Sequence, residues 1–402
     1  MRASLPRLYL TVSGSAHRLS SMIKREFFQT HWPVPLLASV LALSLAGLLL
    51  PSPTGSAESP RPPAAPKSAP EPAIQILSER ELPASLAKAT DVRWASAGSI
   101  YLALRDQGVV ETPLEPAPAL PREVVAGRAQ LGGFFYSTLL GASARHLVAA
   151  APGMAFTSVD LGTQIRRDEA FDAIHALDVQ GDRLLILGMR RDEQMKVGTD
   201  GAIAWLGSLD KKLADLRPVA YDATGPGIRN MMRCGGMRLG GVRFLTDGRF
   251  VVVPGVQSGV QLYDREGKAI RSWDTGPLGI DSDCGALSEE ASRALIASIE
   301  DREEWTSRQR TVDTVLPLPE GIGLVLRSKE DGRLRWDLVV LKMDGSTSQH
   351  HLPVEAGSGF FHLRGDSLSG KMIFLLSEER AKDHKYPAPR LFVALPPKSL
   401  TV

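Results

Sequence analysis

Six residues in this chain have side chains suited to holding a polar or anionic ligand: Tyr136, His175, Arg229, Arg233, Asp313 and His362. Together they offer hydroxyl and guanidinium donors, one carboxylate acceptor and two titratable imidazoles. Each stands at or just before the start of a short apolar segment. Tyr136 and His362 follow related runs, Gly133-Phe134-Phe135 and Gly359-Phe360-Phe361. Aromatic packing between repeats would account for that recurrence. The functional expectation is that the six side chains converge on one site.

The chemistry that is missing narrows the reading. There is no GxSxG elbow, no HExxH and no P-loop. Residues 365–372, GDSLSGKM, come nearest to a P-loop but lack its magnesium-binding hydroxyl. His350-His351 reads as a solvated loop after a strand. The alternating acids Asp281 and Asp283 lack the further oxygen ligands and the distant Glu of a calcium loop. A propeller hydrolase or lactonase-like enzyme with a divalent metal would need several inward carboxylates. Asp313, with Asn230 as a second oxygen donor, is all that the sequence offers. No metal and no cofactor are therefore expected, and a binding role is favoured over catalysis.

The elements that position these residues are short strands. Six strongly apolar segments recur at 99–104, 146–150, 183–187, 249–253, 323–327 and 371–376. Each follows a turn such as Gly181-Asp182, Asp247-Gly248 or Ser369-Gly370, and each precedes another strand, at 108–112, 155–161, 202–209, 259–263, 336–342 and 390–395. Strand-length units repeating every few tens of residues point to a radial array of four-stranded blades. Such an array buries its apolar middle strands between neighbours and removes long exposed edges. The expected fold is all-β, a β-propeller over residues 74–402. Six blades are favoured. A seventh is possible if RALIAS, residues 293–298, is a strand rather than part of an inserted helix over 289–305. Ser288 as N-cap and Glu289-Glu290 in the first turn favour the helix.

One blade carries a resemblance. The stretch GVQLYDREGKAIRSW, residues 259–273, with MRLGGVRFLTDGRFVVV before it, resembles a blade of NHL-type six-bladed propellers. The resemblance covers residues 236–273. It implies a propeller fold and a tendency toward ligand or protein binding, and no activity.

The first 73 residues read differently. Lys24 and Arg25 precede an uncharged run over 35–50, shorter than the roughly 20 residues that span a bilayer comfortably. The small residues Gly55-Ser56-Ala57 follow, so residues 1–57 are expected to be a signal segment cleaved before Glu58. An uncleaved membrane anchor and a buried core helix are the alternatives. Residues 58–73 continue as a Pro/Ala-rich linker with extended geometry. The expected location is secreted or periplasmic, with the membrane touched only through an uncleaved N-terminal segment. In that oxidising setting the two cysteines, Cys234 and Cys284, are expected to form a disulfide.

Lys and Arg number 47 against 45 Asp and Glu, for a net charge of +2, and no basic stripe with interleaved aromatics occurs. Nucleic acid is thereby disfavoured as a partner. A protein, peptide or glycan ligand remains, with an envelope scaffold held by an uncleaved N-terminus as the other non-enzymatic reading. Intact-mass measurement of non-reduced protein from outside the cytoplasm should show a chain starting near Glu58 with Cys234 and Cys284 joined. A retained 35–50 segment would overturn the cleavage, and two free thiols the bond.

Overall fold

The computed structural model describes residues 74–105, 108–115, 120–126, 139–151, 155–171, 173–189, 202–210, 215–221, 240–254, 259–280, 290, 310–357, 359, 361–378 and 387–397. All belong to one compact unit, Lys67–Val402. The targeting segment, the linker, both cysteines, Asn230, Tyr136, Arg229 and Arg233 lie outside the described residues. So does the helix expected over 289–305, apart from Glu290.

Among the described residues, twenty-four strands form six four-stranded antiparallel sheets. Blade 1 holds β2 (Ala89–Ser96), β3 (Ser99–Leu104), β4 (Gly108–Pro113) and β5 (Arg122–Ala126). Blade 2 holds β6 (Leu139–Ala142), β7 (His146–Ala151), β8 (Ala155–Asp160) and β9 (Arg166–Ala170). Blade 3 holds β10 (Ala173–Gln180), β11 (Arg183–Met189), β12 (Ala202–Ser208) and β13 (Arg217–Tyr221). Blade 4 holds β14 (Gly240–Phe244), β15 (Phe250–Pro254), β16 (Val260–Tyr263) and β17 (Ala269–Trp273). Blade 5 holds β18 (Thr311–Leu318), β19 (Gly321–Glu330), β20 (Arg333–Lys342) and β21 (Thr347–Ala356). Blade 6 takes β22 (Phe361–Leu368), β23 (Lys371–Glu378) and β24 (Arg390–Leu395) from the C-terminal end, and its fourth strand is β1 (Gln75–Glu81) from the other.

The innermost strands β2, β6, β10, β14, β18 and β22 contact one another in sequence, and β22 returns to β2. The ring closes at six blades, a six-bladed β-propeller. No helix among the described residues is long and apolar enough to cross a membrane.

The second strand of each blade is apolar throughout because both its faces are buried. Along β3, Ile100, Leu102 and Leu104 pack toward blade 6, while Tyr101 and Ala103 pack toward blade 2. In β11, Leu184 and Ile186 face blade 2, and Leu185 and Leu187 face blade 4. Strand alternation thus divides each middle strand between two neighbours. The result is six apolar clusters, one wedged between each pair of adjacent blades. Close approach needs small residues in places. A Cβ on Gly141 of β6 would meet Leu177 Cδ1 of blade 3 at 2.5 Å.

Tight turns hold the register. Asp331-Gly332 and Ser369-Gly370 have positive φ at both central positions (49° and 77°, 51° and 74°), matching the right-handed twist of their hairpins. In blade 4, Asp264 Oδ1 accepts from the backbone N–H of Glu266 and Lys268, at 3.0 and 2.7 Å. One reading needs correction. His350 and His351 sit within β21 rather than in a loop, because the strand runs on to Ala356. His350 is buried beside Ser348 Oγ (3.0 Å), and His351 is exposed and reaches Asp337 Oδ1 (3.2 Å).

Closure extends past β1. The Leu82 N–H donates to the Pro389 carbonyl (2.8 Å), and its side chain is buried in the cluster between blades 6 and 1. Leu82→Ala should therefore cost about 3 kcal/mol, as for a truncated core leucine. Urea unfolding checks this. A loss under about 1 kcal/mol would mean that the N-terminal closure is dispensable.

Candidate functional site

An innermost strand pairs on one side only, so its other edge presents N–H and C=O groups to the central channel. Four aspartates satisfy the N–H groups of the next blade. Asp91 Oδ2 accepts from Leu140 N (3.0 Å), and Asp178 Oδ2 from Phe244 N (2.7 Å). Asp313 Oδ2 accepts from Leu363 N (3.0 Å), and Asp366 Oδ2 from Trp94 N (3.0 Å). Arginines serve the carbonyls. Arg243 donates to Val315 O and Gly365 O, both at 2.8 Å, and Arg364 Nη1 to Asp313 O at 2.7 Å. Arg327 Nη1 donates to Phe361 O at 2.8 Å, and Arg93 Nη1 to Val92 O at 2.7 Å.

The same side chains pair with each other. Arg243 lies 3.0 Å from Asp178 and 3.7 Å from Asp366, and Arg93 lies 2.8 Å from Asp91. Arg93, Asp178, Arg243 and Asp366 occupy one level of the ring, opposite Tyr101, Leu185, Val251 and Ile373 of their own second strands. They form a charged plug. Burial opposes the charge on Arg243, but Asp178, Asp366 and Asp91 outweigh it and raise its pKa. Arg93 is pushed down, first by burial and then by the like charge of Arg243.

Three of the six expected site residues are described. Asp313 and His362 come together: His362 Nδ1 is 3.3 Å from Asp313 Oδ1, in a pocket shared with Arg327 at 3.8 Å. Trp336 Nε1 donates to Asp313 Oδ2 (2.7 Å). Burial would raise the Asp313 carboxyl, yet Arg327, then His362 and then Arg364 hold it well below the usual carboxylate range. His175 occupies the bulge of β10, at the register that Asp313 occupies in β18, and is buried. Asp313 and His362 are thus turned inward to the fold rather than outward to a ligand.

Between the starts of the inner strands and the plug lies a cavity of about 20 Å³. Its polar walls are Asp91, Arg93, Arg243, Asp313, Thr314 and Arg364. Of these only Asp313 was expected from sequence. The signal for the plug was a charged residue shortly before four of the six inner hairpins: Arg93, Asp178, Arg243 and Asp366.

The opposite face has its own charged group. His146, Asp182 and Asp210 bring one potential metal-ligand atom each within 4.8 Å of the others. Arg145 already supplies a cation there, with Nη1 at 2.9 and 3.0 Å from the two Asp182 oxygens and Nη2 3.5 Å from Asp210. His146 Nε2 is 2.8 Å from Asp182. The arrangement is an ion-paired latch between blades 2 and 3.

Asp313→Asn removes the counter-charge to Arg327 and should cost about 3 kcal/mol at pH 7, as for a broken buried pair. Because the folded-state pKa is depressed, this stability is complete above the ordinary carboxylate value of about 4 and is lost as pH falls toward the depressed value. The gap between wild type and variant in urea unfolding should shrink from pH 7 to pH 3. An equal gap at both would show that the charge is irrelevant.

No family model and no curated protein matches the chain. Among solved structures it is similar to the WD40 repeats of RRP9, at 11% identity and a TM-score of 0.45, covering 80% of this chain and 100% of that one. It is also similar to virginiamycin B lyase from Staphylococcus aureus, at 6% identity and 0.42, covering 80% and 99%. A third likeness is to the PQQ domain of pyranose dehydrogenase from Coprinopsis cinerea, at 12% and 0.43, covering 83% and 99%. These likenesses extend to the fold alone.

Proposed function

We propose that this chain is an exported β-propeller binding module whose loops at one mouth take a protein, peptide or glycan ligand. The observation that carries the reading is an asymmetry of connections. The strands on either side of residues 127–138, 190–201, 222–239, 274–310 and 379–389 end and resume on the face where the inner strands begin. The opposite face is joined by short links such as Gly181-Asp182 and Ser369-Gly370. Long connections on a rigid scaffold are where recognition is usually placed. Tyr136, Arg229, Arg233, Cys234 and Cys284 all belong to that set of connections.

The N-terminal 57 residues support export, and the blade over 236–273 supports an NHL-like binding propeller. Catalysis has less support. Both oxygens of Asp313, the carboxylate best placed for a metal, already accept hydrogen bonds within the fold.

Purified protein should give saturable binding to one chemically related group on combined peptide and glycan arrays. Arg233→Ala should weaken that binding about tenfold while shifting stability by less than about 0.5 kcal/mol, as for an exposed substitution. Arg145→Ala, on the opposite face, should leave binding intact. A ligand lost equally with either variant would place recognition elsewhere.

A further inference from the structure

Arg364 and Arg93 line the same cavity at the channel mouth, and each keeps donors that bond to nothing. Arg364 spends Nη1 on the Asp313 carbonyl, while its Nη2 is buried and unpartnered. Arg93 makes all its hydrogen bonds through Nη1, to Asp91, Val92 O and Gly365 O, and its Nε is buried without a partner. Both residues are more than nine-tenths buried, at 7% and 8% exposure. Orphaned donors on buried charged groups are costly, and a fold that keeps two of them around one cavity has a place for an acceptor.

The acceptor does not come from the cavity's own acids. Asp91 uses its oxygens on Val92 N, Arg93 Nη1 and Leu140 N. Asp313 uses its oxygens on Trp336, His362 and Leu363 N.

We propose that this cavity is a subsite for a carboxylate group, which enters from the mouth and accepts hydrogen bonds from the Arg364 and Arg93 guanidiniums. The proposal rests on the binding-module reading and names the chemistry of its ligand. Charge selects the group. The cavity has room for about one water-sized atom, so one oxygen of the ligand enters it. A phosphate would press a second negative charge against Asp91 and Asp313. The repulsion that Arg243 exerts on Arg93 is relieved by an arriving anion.

The test is calorimetric titration of purified protein with sodium acetate at constant ionic strength set by sodium chloride. Parallel arms use glucuronate against glucose, and a short peptide with a free C-terminal carboxylate against its amide. Acetate should bind at one site, inorganic phosphate should not, and the glucuronate and peptide arms tell a glycan source from a peptide source. Arg364→Met should weaken acetate at least about tenfold, the loss expected when a charged donor is removed. Should that variant fail to fold, Ala176→Val, which fills the cavity wall without changing charge, should give the same loss. No saturable acetate binding, equal binding of phosphate, or acetate binding that survives both variants overturns the subsite. Array ligands that bind regardless of Arg364 would sink the subsite and leave the module. Acetate binding without any array ligand would do the reverse.

Discussion

The unpaired inner edge of each blade is the constraint from which the centre of this molecule follows. Six strand edges meet around one axis, and each carries peptide groups that no neighbouring strand can satisfy. Water would serve in a wide channel. Here side chains serve instead, with Asp91, Asp178, Asp313 and Asp366 reaching forward to the next blade. A carboxylate used in this way is a buried charge, and it requires a counter-charge. Arg93, Arg243, Arg327 and Arg364 supply it, and they in turn take up edge carbonyls, above all that of Gly365. Peptide hydrogen bonding, blade-to-blade contact and charge balance are one network.

That network explains what could be read in advance. The middle strands, buried on both faces, are written in Leu, Ile and Val, and the structure places all six where the sequence pattern put them. The innermost strands are harder. Arg93, Asp178, Arg243 and Asp366 interrupt apolar alternation and look like surface residues until their common register is known. β1 was missed for the opposite reason. Most of QILSERE is exposed or half-exposed, since an outermost strand buries little, and nothing local announces that its partner lies at the far end of the chain. Asp313 and His362 were found as neighbours, but their mutual contact serves the fold.

The two faces of the disc divide labour accordingly. One is pinned by short turns and by the Arg145 latch, which joins blades 2 and 3 through Asp182 and Asp210. The other, where the inner strands begin, holds the cavity in which two guanidiniums are left with donors to spare. Unspent hydrogen-bonding capacity at that cavity gives the propeller a polarity that its near-sixfold backbone lacks.

The closing strand also orders events in time. Among the described strands β1 is made first and β24 last, and Arg390 and Glu79, which pair across that seam, are 311 residues apart. Contacts so distant in sequence form late and slowly. Five blades can assemble from consecutive strands as the chain appears, while the sixth waits for the two ends to meet. Until then an unpaired edge stays open at each end of a nearly finished ring, a template for another chain. A protein built this way is most vulnerable just before completion, and its yield depends on how quickly its beginning finds its end.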